Sequence, residues 1–138
     1  MMDESSRTLT GSDDPEFIRS RVSVPYERII FMDELPVVSP FTVTIMWDRI
    51  DEIAADWSHF VITANLVHTM RPDTKSRHEL TKRIGSQRIK LRRLVAATGN
   101  NAVIRAAAWF VLGRNGIPVT VVTDNEEALQ QAIKELAS

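Results

Sequence analysis

One stretch of the chain, residues 65–80 (NLVHTMRPDTKSRHEL), concentrates the side chains that could do chemistry. It holds three hydroxyl groups and two histidines, and it follows a short apolar run, HFVIT. A hydroxyl side chain can be a nucleophile, a phosphate acceptor or a helix cap, and a histidine can be a base or a metal ligand. The stretch therefore raises catalysis, phosphorylation, metal binding and simple capping as alternatives.

The spacing within this stretch disfavours catalysis and metal binding. A nucleophilic hydroxyl needs a base and an orienting acid within reach, but Ser76 and His78 fall on different sides of a helix. No G-x-S-x-G turn occurs in the chain. His68, His78 and Asp73 are too loosely spaced for a helical H-x-x-x-H metal site. We therefore predict a protein that is not an enzyme and holds no metal.

A second polar loop, Gly99, Asn100 and Asn101, precedes an alanine-rich segment. Free backbone N–H groups at the start of a helix can hold an anion, so this loop is a candidate binding site. An asparagine cap after a glycine turn is the favoured interpretation. The chain contains neither a dinucleotide-binding glycine pattern nor a P-loop, and no cofactor is expected.

A third polar site, Asp33-Glu34, could supply the acidic pair of a receiver-type phosphotransfer domain. Such a domain also needs an aspartate at the end of a middle strand and a lysine at the end of a late one. Here the middle strand ends in Asn65 and the late one in Thr123-Asp124, so both are missing.

Composition and charge place the chain among single-domain proteins. With 138 residues, 43% of them hydrophobic and 25% charged, it can bury a core of its own. It has no cysteine, no signal peptide and no apolar run of about 18 residues, so we expect a cytoplasmic protein without membrane insertion. Residues 71–93 carry nine basic and two acidic side chains, a net charge of +7. A solvated face explains this block better than a nucleic-acid site does.

The hydrophobic pattern alternates between strands and helices. Residues 1–16 are polar and acidic and predict a flexible tail, which leaves residues 17–138 as one domain. The segments FIRSRVSV and ERIIFM predict two antiparallel strands with a turn at Pro25-Tyr26. Helices that begin at Ser39-Pro40, near Pro72, after Asn101 and at Asp124 then alternate with the strands HFVIT, LRRLVAAT and IPVTVV. This order predicts an α/β fold, a mixed and mostly parallel sheet of four to five strands packed with about four helices.

The element order and the ending RNGIPVTVVTDNEEALQQAIKEL resemble a STAS domain, the fold of anti-sigma-factor antagonists. In that family an Asp followed by a Ser or Thr stands eight and nine residues after the end of a strand, and a partner kinase phosphorylates the hydroxyl. Asp73 and Thr74 stand at those positions relative to Asn65, which replaces the usual strand-end aspartate. The resemblance implies that Thr74 is the phosphoacceptor. Ser76 lies in line with Leu80 and is expected to face the sheet.

The resemblance implies a non-enzymatic regulatory module that binds a kinase or an anti-sigma-like regulator. Its candidate binding surface consists of Asn65, Asp73, Ser76, Arg77, Gly99, Asn100 and Asn101. The alternative is a small-ligand module that binds a nucleotide, an anion or a lipid at the same loops. Capping alone also explains the hydroxyls, and the sequence leaves a homodimer open.

Overall fold

The structure, a computed structural model, describes residues 13–138 of the chain. Most of the predicted tail, residues 1–12, lies outside the described residues. The elements in chain order are α1 (Pro15–Ser20), β1 (Val22–Tyr26), β2 (Ile29–Asp33), α2 (Pro40–Ala54), β3 (Phe60–Asn65), α3 (Thr74–Ser86), β4 (Leu91–Ala97), α4 (Ala102–Leu112), a 3-10 turn (Gly113–Asn115), β5 (Val119–Val122) and α5 (Asn125–Ala137).

The five strands form one sheet in the order β1-β2-β3-β4-β5. Strands β1 and β2 are antiparallel, and the three remaining pairs are parallel. The predicted α/β class with a mostly parallel sheet is confirmed. The residues that the structure describes form five α-helices, and none of these helices is both long and apolar enough to cross a membrane.

The two faces of the sheet are covered unequally. Buried side chains of α2, α3 and α4 share one apolar cluster with strand residues such as Ile30 and Ile62. Among the described helices, only α5 packs on the opposite face, where Ala128 and Ala132 meet Val61 and other strand residues. The three crossover helices therefore lie in a row on one side, because each parallel connection moves one strand further in the same direction.

Helix α2 shows how local sequence fixes one of these layers. Ser39 Oγ accepts a hydrogen bond from Thr42 N at 3.1 Å, and Thr42 Oγ1 accepts one from Ser39 N at 3.0 Å. This reciprocal capping box satisfies two otherwise unpaired backbone donors, and Pro40 occupies the first helical position. Met46 and Trp47 on its inner face are fully buried. The predicted start of this helix is confirmed.

The predicted strand over FIRSRVSV is wrong in its first half. Residues Pro15–Ser20 form a helix, because Asp14 Oδ1 accepts a hydrogen bond from Glu16 N and Ile18 is fully buried. The turn between the first two strands is also not at Pro25-Tyr26, which belong to β1. Arg28, with a φ of 63°, makes the turn instead. Pro25 is tolerated in β1 because this strand lies at the edge of the sheet, where a missing N–H need not pair.

Helix α5 begins as the sequence predicts. Asp124 Oδ1 accepts a hydrogen bond from Glu127 N at 2.8 Å, while Glu127 Oε1 accepts one from Thr123 N, one residue before the cap. Ala128 and Ala132 are nearly inaccessible, so their small side chains let the helix lie close to β3 and β4.

We expect Ala132→Leu to lower the free energy of unfolding by about 1–3 kcal/mol, because a well-packed interface cannot absorb three extra carbon atoms without strain. Denaturant unfolding followed by circular dichroism measures the change. Ala137→Leu, the same exchange at an exposed residue of the same helix, is the control and should have little effect. Equal stability of the two variants would contradict close packing of α5 on the sheet.

Candidate functional site

The carboxyl ends of the parallel strands are joined by hydrogen bonds that use the side chain of Asn65. Its Nδ2 donates to Asp33 Oδ1 at 2.9 Å, and its Oδ1 accepts from Val67 N at 3.2 Å. Its backbone oxygen accepts from Glu34 N at 3.2 Å. Asn65 therefore ties the end of β2 to the end of β3 and orients the loop that follows, and both ends of its amide are already bonded.

The start of α3 leaves Thr74 accessible. Asp73 caps the helix, and its Oδ1 accepts a hydrogen bond from Ser76 N at 2.8 Å. Hydrogen bonding from Ser76 lowers the pKa of the Asp73 carboxyl, because it stabilises the charged form. Thr74 is the first helical residue and is exposed, and its Oγ1 accepts a hydrogen bond from Arg77 Nη2 at 3.1 Å.

Ser76 has a structural role that separates it from Thr74. Its side chain is fully buried, and its Oγ donates to Val38 O at 3.1 Å. This bond holds the start of α3 against the loop between β2 and α2. Ser76 is buried on the same side of α3 as Leu80, as expected, although its hydroxyl contacts this loop, and the hydroxyl is not accessible to a partner or a kinase.

The second polar loop forms the cap that the sequence favours. Gly99 has a φ of 64°, which a glycine adopts at no steric cost, and its N–H donates to Thr123 O at 2.9 Å. Asn101 Oδ1 accepts from Val103 N and Ile104 N at 3.0 and 3.1 Å. Asn100 is exposed beside them. Two of the backbone donors that an anion would need at the start of α4, those of Val103 and Ile104, are thus bonded to Asn101.

An exposed apolar face on α4 is the feature that sequence reasoning missed. Val103, Trp109 and Phe110 are each more than half exposed, whereas Ile104 and Ala108 are buried. A helix buries one stripe of its surface, so adjacent Trp109 and Phe110 cannot both belong to it. The apolar run AAAWFVL was therefore a usable signal, because seven consecutive apolar residues leave this part of the helix without a polar side chain to present to water.

Beside this face lies a groove of about 430 Å³ between α4 and the start of α3. We call it the α4 groove. Ala102, Val103, Ala106 and Phe110 form its apolar side, and Arg71 and Arg77 are the charged residues that line it. In the described part of the chain no acidic side chain lines it. Arg77 also donates to Pro72 O at 2.8 Å, so the guanidinium group is fixed between the groove and Thr74.

Glu34 is the buried carboxyl of this end of the molecule. It follows β2 directly, and its Oε1 accepts a hydrogen bond from Leu35 N at 3.0 Å. Burial raises the pKa of the Glu34 carboxyl to about 7, because removal from water penalises the charged form. The Leu35 N–H and the charge of Arg21 oppose this increase, and the charge of Asp33 adds to it.

No arrangement of three or more His, Asp or Glu side chains suited to a metal ion occurs within residues 13–138. A scan against protein-family models found no match to the chain, and a search of curated proteins found none either. Any proposal about function must therefore rest on the structure itself, above all on the α4 groove and on Glu34.

We expect Glu34→Gln to stabilise the protein at pH 8 and to have little effect at pH 4.5. The folded protein binds a proton at Glu34 between pH 4.5 and about 7 that the unfolded chain does not bind. Wild-type stability therefore falls as pH rises through this window, by up to about 3 kcal/mol in total. Glutamine keeps the acceptor for Leu35 N but cannot ionise.

Urea unfolding at several pH values measures this difference. Glu27→Gln, at an exposed position in the turn between β1 and β2, is the control. A stability difference between Glu34→Gln and wild type that does not change with pH would contradict a raised pKa for Glu34.

Proposed function

We propose that the chain is a non-enzymatic regulatory module of the cytoplasm that docks a protein partner in the α4 groove. The observation that carries this proposal is the apolar face of α4 next to two arginines. Val103 and Phe110 are 62% and 63% exposed, which is a large exposure for two apolar side chains on the same side of one helix. Aromatic and arginine side chains are the types enriched where proteins bind one another.

The charges around the groove indicate the chemistry of the partner. Arg71 and Arg77 line the groove, and Arg114 lies over the ring of Phe110 at 5.3 Å. An apolar segment flanked by Asp or Glu complements this surface, because the apolar part fills the groove and the carboxylates meet the arginines. A short amphipathic helix with acidic flanks has the right shape for such a groove.

The resemblance to STAS domains supports a regulator as the partner. A strand pair followed by parallel strands with helical crossovers is the element order on which that resemblance rests. By that resemblance the partner is a kinase or an anti-sigma-like protein. The carboxyl end of the sheet, where α3 and α4 both begin, is the surface that such a partner would meet.

Thr74 is placed so that a phosphate would act on the same groove. Its Oγ1 is exposed and already bonded to Arg77, which lines the groove. A phosphate there would add nearly two negative charges and draw Arg77 toward itself. Arg77 would then be neutralised by the phosphate, and an acidic partner would face repulsion, so phosphorylation would release it.

We expect Phe110→Asp to weaken partner binding by about thirtyfold or more, as loss of a central aromatic contact does in other interfaces. A photo-cross-linking amino acid introduced at position 110 in cells would identify the partner by mass spectrometry. Calorimetry with the purified partner then measures the dissociation constant. Arg71→Glu should weaken binding and reduce its dependence on salt.

Ile89→Asp is the matched control, because Ile89 is 94% exposed but lies at the opposite end of the sheet from the start of α4. It should leave binding unchanged. Two outcomes would overturn the proposal: self-association of the chain that Phe110→Asp abolishes, or binding to anionic lipid vesicles in place of a protein.

We expect a kinase encoded beside the gene of this chain to phosphorylate Thr74, and a Thr74→Asp variant to bind the partner about tenfold more weakly. Phosphopeptide mass spectrometry locates the phosphate. Ser86→Ala, at an exposed hydroxyl at the other end of α3, is the control and should be phosphorylated normally. Phosphate incorporation that persists in Thr74→Ala would contradict the assignment to Thr74.

A further inference from the structure

A cavity of about 60 Å³ lies between the sheet and the row of crossover helices, and nearly all of its wall is apolar. Buried side chains such as Met32, Leu94 and Ala108 form its inner part. Protein interiors are close-packed, and voids larger than a water molecule are few in one domain. A space of this size holds about four or five water-sized spheres, which is roughly the room that the same number of methylene groups needs.

The cavity opens beside the α4 groove. Met70, which is 58% exposed, lines the cavity, and so do the partly exposed residues Pro72 and Ala107. Ala107 also lines the α4 groove, and so does Arg71, which stands between Met70 and Pro72 in the chain. The mouth of the cavity therefore borders the charged side of the groove.

Two guanidinium groups lie at this mouth. Arg77 Nη1 donates to Pro72 O at 2.8 Å, so its charge is held against a residue that lines the cavity. Arg71 belongs to the same segment as Pro72, and neither arginine forms an ion pair with a described carboxylate. The cavity is thus an apolar space whose opening is marked by positive charge.

We propose that this cavity binds the alkyl chain of a short aliphatic carboxylate, with about six carbon atoms, and that Arg71 pairs with its carboxylate at the mouth. The buried part of such a ligand is apolar along its whole length, as the wall of the cavity is. Burial of the chain supplies the affinity, and the ion pair determines which end stays at the mouth. The ligand is independent of the protein partner proposed above, although both use Arg71 and would therefore compete.

Other small ligands match only one part of the site. An alkylammonium ion would place a positive charge beside two arginines. A hydrocarbon would fill the cavity but leave both arginines without a counter-ion. Water finds no hydrogen-bond partner on an apolar wall. Glu34 also lines the cavity, but it is buried and its Oε1 accepts a hydrogen bond from Leu35 N at 3.0 Å, so it does not neutralise the arginines at the mouth.

The direct test is a titration of the wild-type protein with the carboxylates from propanoate to decanoate, followed by the NMR signals of the methionine methyl groups. Met32 and Met70 line the cavity, whereas Met46 is buried elsewhere and serves as the internal control. The affinity should rise about fourfold with each methylene group as far as hexanoate, because each one buries apolar surface. Hexanoate should reach a dissociation constant of about 1 mM, as a ligand of this size permits. Longer chains should gain nothing, since the cavity is then full.

The chain-length limit separates the cavity from the exposed apolar face of α4. An affinity that keeps rising through decanoate would indicate adsorption to an open surface and would overturn the cavity as the site. The absence of any saturable shift of the Met32 signal would overturn the proposal as a whole. Vesicles of phosphatidylglycerol present alkyl chains and negative charge in a membrane, and binding to them without binding to hexanoate would overturn the free acid as the ligand.

Ala108→Leu tests the buried part of the site, because Ala108 lines the cavity but not the α4 groove. It should weaken hexanoate binding at least tenfold, since its additional carbon atoms occupy the space of the chain. Ala55→Leu, the same exchange at an exposed residue outside the cavity, is the matched control and should bind normally. Unchanged binding by Ala108→Leu would overturn the cavity as the site. The chain-length series in the wild type decides the question independently of whether this variant folds.

Arg71→Gln tests the charge at the mouth. It should weaken hexanoate binding about tenfold but leave the binding of 1-hexanol unchanged, because it removes the ion pair and keeps the cavity. Arg88→Gln, at an exposed cation just before β4 and therefore at the opposite end of the sheet, is the matched control and should affect neither ligand. Equal weakening of the acid and the alcohol would assign Arg71 a structural role and overturn its part in the site.

Discussion

The strand order constrains everything else in this molecule. Because β2, β3, β4 and β5 are parallel and follow one another across the sheet, every connection between them must return over the sheet as a helix. The three helices that do so share one face, and α4 stands at the end of the row. It has α3 on one side, but no further crossover helix follows it on the other. Val103 and Phe110 are nevertheless exposed on the side of α4 next to the start of α3, where Arg71 and Arg77 complete the α4 groove.

The same constraint explains why several polar residues that looked functional are structural. Parallel strands end together, so the loops after them must satisfy one another's backbone groups. Asn65 bonds to Asp33, Ser76 bonds to Val38, and Gly99 bonds to Thr123. These bonds hold the loops in place. The α4 groove depends on the positions of these loops, because Arg71 lies in one of them.

Sequence reasoning predicted those features that depend on neighbouring residues. The N-cap at Ser39 and the cap at Asn101 follow from local chemistry, and both were predicted. The sheet class followed from the alternation of elements. The helix at Pro15–Ser20 was not predicted, because its apolar residues are as compatible with a strand, and only the burial of Ile18 in the folded protein decides between them. That Glu34, Trp47 and Thr69 line one cavity could not be predicted from the sequence either, because tertiary packing brings them together from three separate parts of the chain.

The cavity of about 60 Å³ between the sheet and the crossover helices shares one of its walls, helix α4, with the α4 groove. Ala107 and Val111 line both, so the cavity and the groove depend on the position of the same part of α4. Linkage between two sites is reciprocal. If a molecule in the cavity changed the affinity of the groove for its partner by some factor, the partner would change the affinity of the cavity for that molecule by the same factor.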